Sequence, residues 1–224
     1  MHYIQAIKNI RSQTDTILLF HSGTGKDSIM MCDLLSKNFK RVVCVFMYMV
    51  KDLEYENRYI DWALDKYDNI SFEKTPHFAT YSFLKHGYLG LKKSKDVKNV
   101  KLKDITASMK LIHGIDYACF GFKKIDSIDR RIMLNELPDG ISPNTKNCYP
   151  IMDCKNSDVL RYIDDNQLII PFNYNKQKPS SGCDISDPTF LSYMKNRYPS
   201  DLQKIFNTYP YCEAILFRYE NQTK

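Results

Sequence analysis

The segment from Leu18 to Leu35, LLFHSGTGKDSIMMCDLL, gathers the residues best suited to chemistry. An apolar run enters Ser22, Gly23, Thr24, Gly25, Lys26, Asp27 and Ser28 and leaves into a stretch with helical spacing. Gly23 and Gly25 permit a tight turn and let backbone N–H groups approach an anion. Ser22 and Ser28 offer hydroxyl donors to phosphate oxygens, the helix start adds partial positive charge, and Lys26 adds a full one. Asp27 would repel a phosphate, and makes sense there if it holds Mg²⁺ that bridges the phosphates. A Walker A loop needs G-x-x-x-x-G-K-[ST], but Phe20 stands at its first glycine and Asp27 follows the lysine. A dinucleotide loop needs G-x-G-x-x-G, and Ser28 stands at its third glycine. The bland alternative is a strand–turn–helix junction without a ligand. Two glycines, two serines and a charged pair within seven residues weigh against it.

Other reactive side chains are weaker signals. The cysteines at 32, 44, 119, 148, 154, 183 and 212 are odd in number and form no C-x-x-C pair. Cys32 and Cys44 fall in apolar stretches, so the pattern reads as reduced intracellular thiols. Cys148, Cys154 and Cys183 are able to converge, but their spacings match no standard zinc site. Histidines 2, 21, 77, 86 and 113 show no metal spacing. His21 precedes the loop and reads equally as a phosphate contact or a satisfied strand-end histidine. Lys92, Lys93, Lys95, Lys98, Lys101 and Lys103, with Tyr81, Phe83 and Tyr88 nearby, read first as a solvated mobile loop. The alternatives are a cover over the nucleotide or a contact with tRNA or DNA, the aromatics stacking on bases.

The elements that must position these residues follow from periodicity. Tyr3, Ile4, Ile7 and Ile10 predict an opening helix, and Thr16–His21 a buried strand. Ser22–Ser28 reads as a turn, Ile29–Leu35 as a helix and Arg41–Met49 as a second buried strand. Tyr59, Ile60, Ala63, Leu64 and Tyr67 mark the apolar face of a crossover helix, and Ile70–Phe72 a third strand. A helix is expected from Asp104 with Ile105, Met109 and Ile112 on one face. Tyr117–Phe120 reads as a strand, Ile128–Leu134 as a short helix and Cys148–Ile151 as the last strand. Ser157–Asp165 predicts a helix capped by Asn156 or Ser157. Strands alternating with helices predict an α/β fold, a parallel sheet with helices on both faces, whose ligands bind at the carboxyl ends of the strands. Residues 1–170 are expected to form the nucleotide-binding domain, with 171–224 an irregular, helical extension packed on it.

The chain has 224 residues, 43% hydrophobic and 26% charged, which excludes wholesale disorder. A net charge of +6 suits an anionic ligand without demonstrating a nucleic-acid binder. The longest apolar run, Val42 to Val50, is nine residues, too short to span a bilayer. MHYIQAIKNIRSQTD lacks a signal-peptide core, so a cytoplasmic protein without a membrane partner is expected.

SGTGKDS resembles the SGGxDS pyrophosphate loop (PP-loop) of the ATP pyrophosphatases, or adenine nucleotide alpha-hydrolases, with Thr24 at the usual second glycine. Later segments resemble one branch, the phosphoadenosine phosphosulfate (PAPS) reductase-like family. CFGFKKIDSIDRR supplies Gly121, Lys123, Ser127 and Arg130 in place of its Gly-x-Arg and Ser-x-x-Arg. YPIMDCKNSDVLRYI and Gly182-Cys183 stand where the family has a Pro-Ile-Asp segment, a helix with an Asp-Val pair and a Gly-Cys. The ordered matches run from residue 16 to about 199.

The resemblance implies a Rossmann-like nucleotide fold binding ATP or PAPS. Ser22, Gly23, Thr24, Gly25, Lys26 and Ser28 would hold the phosphates, with Asp27 the Mg²⁺ ligand. The strand end at Phe46, Met47 and Tyr48 would meet adenine, largely through backbone. Gly121 would lie in the same site, and Lys123 and Arg130 would reach the anionic end of the nucleotide, unless those two form a solvated helix entrance. Gly182-Cys183 would wall the substrate pocket or form a plain turn. The catalytic assignments are Lys26 and Asp27: ATP would be cleaved between its α and β phosphates, adenylating a small-molecule or nucleic-acid acceptor and releasing pyrophosphate. A sulfonucleotide reductase would need a thiol such as Cys212, which lacks the family's Glu-Cys-Gly-Leu-His context and reads as packing in a terminal helix. A nucleotide-binding subunit of a complex, or a homo-oligomer, also fits.

Overall fold

In the computed structural model, which describes residues 2–169 and 184–222, the apolar runs form the strands expected of them. β1 (Thr16–Ser22), β2 (Arg41–Tyr48), β3 (Ile70–Pro76), β4 (Ala118–Phe120) and β5 (Asn147–Cys148) build one sheet in the order β3-β2-β1-β4-β5. Every neighbouring pair is parallel. Parallel strands need crossovers, and most here are helical. α1 (His2–Arg11) leads into β1, and α2 (Lys26–Ser36) and α3 (Glu54–Lys66) follow β1 and β2. α4 (Phe78–His86) and α5 (Leu102–His113) separate β3 from β4, and α6 (Ile128–Asn135) separates β4 from β5. α7 (Asn156–Asp165), α8 (Pro188–Arg197), α9 (Pro199–Thr208) and α10 (Tyr211–Gln222) complete the described chain.

Alternation along the strands splits the core into two layers. Ile17 and Leu19 of β1 and Val42, Cys44 and Phe46 of β2 face α1, α2, α3 and α7. Leu18, Phe20, Val43, Val45 and Met47 face the opposite layer, where α5 supplies Ile105 and Met109 and α6 supplies Leu134. A third cluster joins α8, α9 and α10 to Val50, Leu53 and Tyr55, just beyond β2. None of the described helices is long and apolar enough to cross a membrane.

Several boundaries differ from the sequence reading. The loop after β1 is shorter, because Lys26, Asp27 and Ser28 already form the first turn of α2. Leu64 is exposed, one helical step round from buried Ala63. Ile112 is exposed too, as the buried face of α5 ends at Met109. α7 starts at Asn156, where the Asp158 carboxylate accepts the Lys155 N–H, so neither Asn156 nor Ser157 is the cap. The last strand ends at Cys148, short of Ile151. Gly182 and Cys183 lie outside the described residues.

Candidate functional site

β1 is followed in the sheet by β2 on one side and by β4 on the other, so the chain leaves the carboxyl ends of β1 and β4 in opposite directions. Such a switch point opens a crevice at the sheet edge. The SGTGKDS loop stands at this edge. Gly23 takes φ 63°, a conformation that side chains with a Cβ rarely adopt. Gly25 is the N-cap of α2 in an extended conformation and supplies no side-chain cap, which leaves the helix end suited to an external acceptor. A Cβ on Gly25 would meet nothing closer than the Ser22 carbonyl at 3.8 Å. Gly121, just after β4, is different: a Cβ there would stand 3.0 Å from Asp27 Cβ. Glycine at 121 lets the exit of β4 abut the first turn of α2.

That abutment assembles a charge cluster. Asp27 Oδ2 lies 3.1 Å from Lys26 Nζ, and its Oδ1 lies 2.5 Å from Lys123 Nζ. Lys123 also stands 3.2 Å from Asp126, which pairs with Arg130 at 2.6 Å. Lys26 and Lys123 are buried, so Lys123 is no solvated helix entrance. Burial lowers the Lys26 pKa against the opposing pull of Asp27. Burial would raise the Asp126 pKa, but Lys123, its backbone N–H and Arg130 together bring it below the usual carboxylate range. Ser127 caps α6 by accepting the Arg130 N–H, and the Arg130 guanidinium lies 4.1 Å from the Phe122 ring centroid. Among the described residues the cluster therefore holds three cations and two carboxylates beside a helix N-terminus. Desolvating an ion costs several kcal/mol unless it is compensated. An anion in the crevice would balance the excess.

As arranged, Asp27 does not fit Mg²⁺. Each of its oxygens faces an ammonium group, and a divalent cation there would sit against two lysines. The Thr24 hydroxyl donates to the Tyr55 hydroxyl at 2.9 Å in a buried position. Ser28 is buried in the first turn of α2.

A residue that no sequence signal marked completes the loop. His77 caps α4, its Nδ1 accepting the Ala79 N–H at 3.1 Å, while its Nε2 stands 3.1 Å from Ser22 Oγ. Burial lowers the His77 pKa to about 4, so the ring is neutral at pH 7. With Nδ1 accepting, the single proton sits on Nε2 and is donated to Ser22 Oγ. The Ser22 hydroxyl proton is then left for a ligand. Ser22, Gly23 and His77 line one side of a cleft of about 290 Å³, with Met47, Glu56 and Phe190 also on its walls. Burial, opposed by Lys74 and reinforced by Asp201, raises the Glu56 pKa to about 8.

β2 ends at Tyr48, at the carboxyl edge of the sheet. Phe46 and Met47 are paired with β1 on one side and β3 on the other, and the Tyr48 carbonyl accepts the His77 N–H at 2.8 Å. Phe46 and Met47 are thus flanked by strands on both sides, and Tyr48 on one. Phe46 packs in the helix-covered layer, and only Met47 lines the cleft. Cys212 is buried, burial followed by Asp184 raises its pKa to about 11, and its S–H points to the Ile185 carbonyl at 3.6 Å. The six lysines between 92 and 103 are all exposed. Cys148 stands opposite Cys119 across the β4–β5 pair.

No known family model matches the sequence. No curated protein matches it either. Among solved structures, the chain is similar to a U34-tRNA thiolase, NcsA from Methanococcus maripaludis with its [4Fe-4S] cluster, at 17% identity and a TM-score of 0.46, covering 98% of this chain and 78% of that one. It is also similar to an NH3-dependent NAD synthetase from Campylobacter jejuni in complex with the nitrate ion, at 15% identity and a TM-score of 0.47, covering 96% and 94%.

Proposed function

We propose that this chain is an adenine-nucleotide-binding enzyme of the PAPS reductase-like type that cleaves ATP between the α and β phosphates and adenylates an acceptor, releasing pyrophosphate. One observation carries the reading: a cation-rich buried cluster sits beside the uncapped N-terminus of α2 at the switch point of a parallel sheet. That site accepts a polyphosphate. The loop amides and the Ser22 hydroxyl would hold the β and γ phosphates, and Lys26 and Lys123 would offset charge as it builds on the leaving pyrophosphate. The acceptor oxygen attacks the α-phosphorus in line, and the bond from that phosphorus to the bridging oxygen breaks. The chemistry asks the protein for position and charge, not for a covalent intermediate. The adenosine would enter the cleft by Met47, Glu56 and His77. Asp27 acts in this scheme by holding the two lysines in place.

A sulfonucleotide reductase has no support from Cys212, whose buried thiol is held protonated away from the crevice. Calorimetric titration with ATP and, separately, PAPS distinguishes the readings. ATP binding that weakens at least about tenfold in Gly25→Ala, with the fold retained, is the expected result. Preference for PAPS would overturn the ATP assignment. ATP binding without pyrophosphate release across a screen of acceptors would replace the enzyme with a subunit that needs its complex.

A further inference from the structure

His21 satisfies neither of its sequence readings. Its side chain is buried in the layer under α2, away from the crevice, and neither ring nitrogen has a hydrogen-bond partner among the described residues. The register explains its neighbours. Leu19 of β1 pairs with Cys44 of β2, so His21, two residues on, shares the face of Cys44. Cys32, on the second turn of α2, covers that face from above. One ligand-capable atom from each of His21, Cys32 and Cys44 lies within 4.8 Å of the others, and all three residues are buried.

We propose that His21, Cys32 and Cys44 bind one Zn²⁺ directly beneath the phosphate loop. The two sulfurs are 4.0 Å apart. Thiolates bound at about 2.3 Å to a tetrahedral zinc stand about 3.8 Å apart, so the pair needs little adjustment. A disulfide would need the sulfurs to close to about 2.05 Å. Charge selects the ion. Each thiol gives up a proton to solvent on binding, and two thiolates, a neutral imidazole and a divalent cation sum to zero. A monovalent soft cation would leave a net negative charge in an apolar layer, which is costly. The Tyr59 hydroxyl, buried beside Cys32, is available for the fourth position. The rings of Phe46, Tyr59 and Phe72 surround the imidazole, with centroid separations of 6.0, 5.8 and 5.6 Å. The ion would tie together β1, β2 and α2, the elements that carry and brace the loop.

The test uses the full chain expressed in zinc-replete medium and purified without chelators. Metal analysis is expected to find one zinc per chain, lost in Cys32→Ala and in Cys44→Ala and kept in Cys148→Ala. Protein grown with Co²⁺ is expected to show tetrahedral cobalt bands with thiolate-to-cobalt charge transfer, a readout that needs no variant to fold. Folded wild-type protein free of zinc and cobalt would overturn the proposal. So would cobalt spectra lacking thiolate charge transfer, or zinc that survives both alanine variants. An intact mass short of two hydrogens without reductant, restored by reductant and absent in Cys32→Ala, would replace the metal with a disulfide.

Discussion

The two ends of α2 treat a carboxylate in opposite ways. Near the C-terminal end, Asp33 is fully buried and receives the Tyr67 hydroxyl at 2.7 Å, the Tyr162 hydroxyl at 2.5 Å and the Lys37 ammonium at 2.6 Å. Its one negative charge meets one cation and two neutral donors, and nothing further is required there. At the N-terminal end Asp27 remains a quarter exposed and is bracketed by two lysines, with Asp126 and Arg130 extending the cluster. Both ends contain buried charge, and among the described residues only the N-terminal cluster holds more cations than carboxylates. A closed network of this kind anchors α2 to α7 and to the end of α3, whereas the unbalanced cluster is the one proposed to receive an anion.

The largest expected effect tests the surplus itself. Lys123→Met removes a buried cation from between Asp27 and Asp126, leaving two neighbouring carboxylates short of a partner. Unfolding in urea is expected to show a loss of about 3–5 kcal/mol, and ATP binding should vanish. A variant that keeps full affinity would show that the cluster is structural at both ends of the helix.

Two glycines sharpen the comparison within the N-terminal end. In Gly121→Ala the new methyl would press on Asp27 Cβ at 3.0 Å, and overpacking of this kind costs about 1–3 kcal/mol. Gly25→Ala meets only an ordinary contact at 3.8 Å. It should leave the melting temperature nearly unchanged while reducing ATP affinity. Equal destabilisation by both would mean that Gly25 serves the fold and not the ligand. At the other end, Tyr162→Phe deletes one donor to Asp33 and is expected to cost about 1–2 kcal/mol with no change in ATP affinity.

How far this contrast could be read beforehand follows from where its parts lie in the chain. The loop was legible because its glycines, serines and charges fall within seven consecutive residues after an apolar strand. Alternating strands and helices made the parallel sheet legible for the same local reason. Lys123 and Arg130 entered only through a resemblance, and it is the contact of Gly121 with Asp27 that turns them into neighbours of the loop. His77 carried no signal, since a helix cap that also donates to a serine has no motif. The His21, Cys32 and Cys44 group was hidden because its spacing means nothing until the β1–β2 register is known.

The smallest expected effect concerns a third carboxylate, Glu56, which is buried on the cleft wall without the bracketing lysines of Asp27. Its carboxyl titrates near 8, chiefly through burial, so it is neutral over most of the physiological range. A neutral carboxyl can donate a hydrogen bond into the cleft, while an ionised one would repel an anionic nucleotide. ATP affinity is therefore expected to hold steady below pH 8 and to fall severalfold above it. The same group makes a matching contribution to folding. Because its folded pKa is raised from 4.5, its share of stability is fully present below about pH 4.5 and is lost as the pH rises through 8. Glu56→Gln should flatten both dependences, measured by titration calorimetry and by urea unfolding between pH 6 and 9. A slope in ATP affinity that persists in the glutamine variant would move its origin to the lysines of the N-terminal cluster, and the cleft wall would then have no electrostatic part in binding.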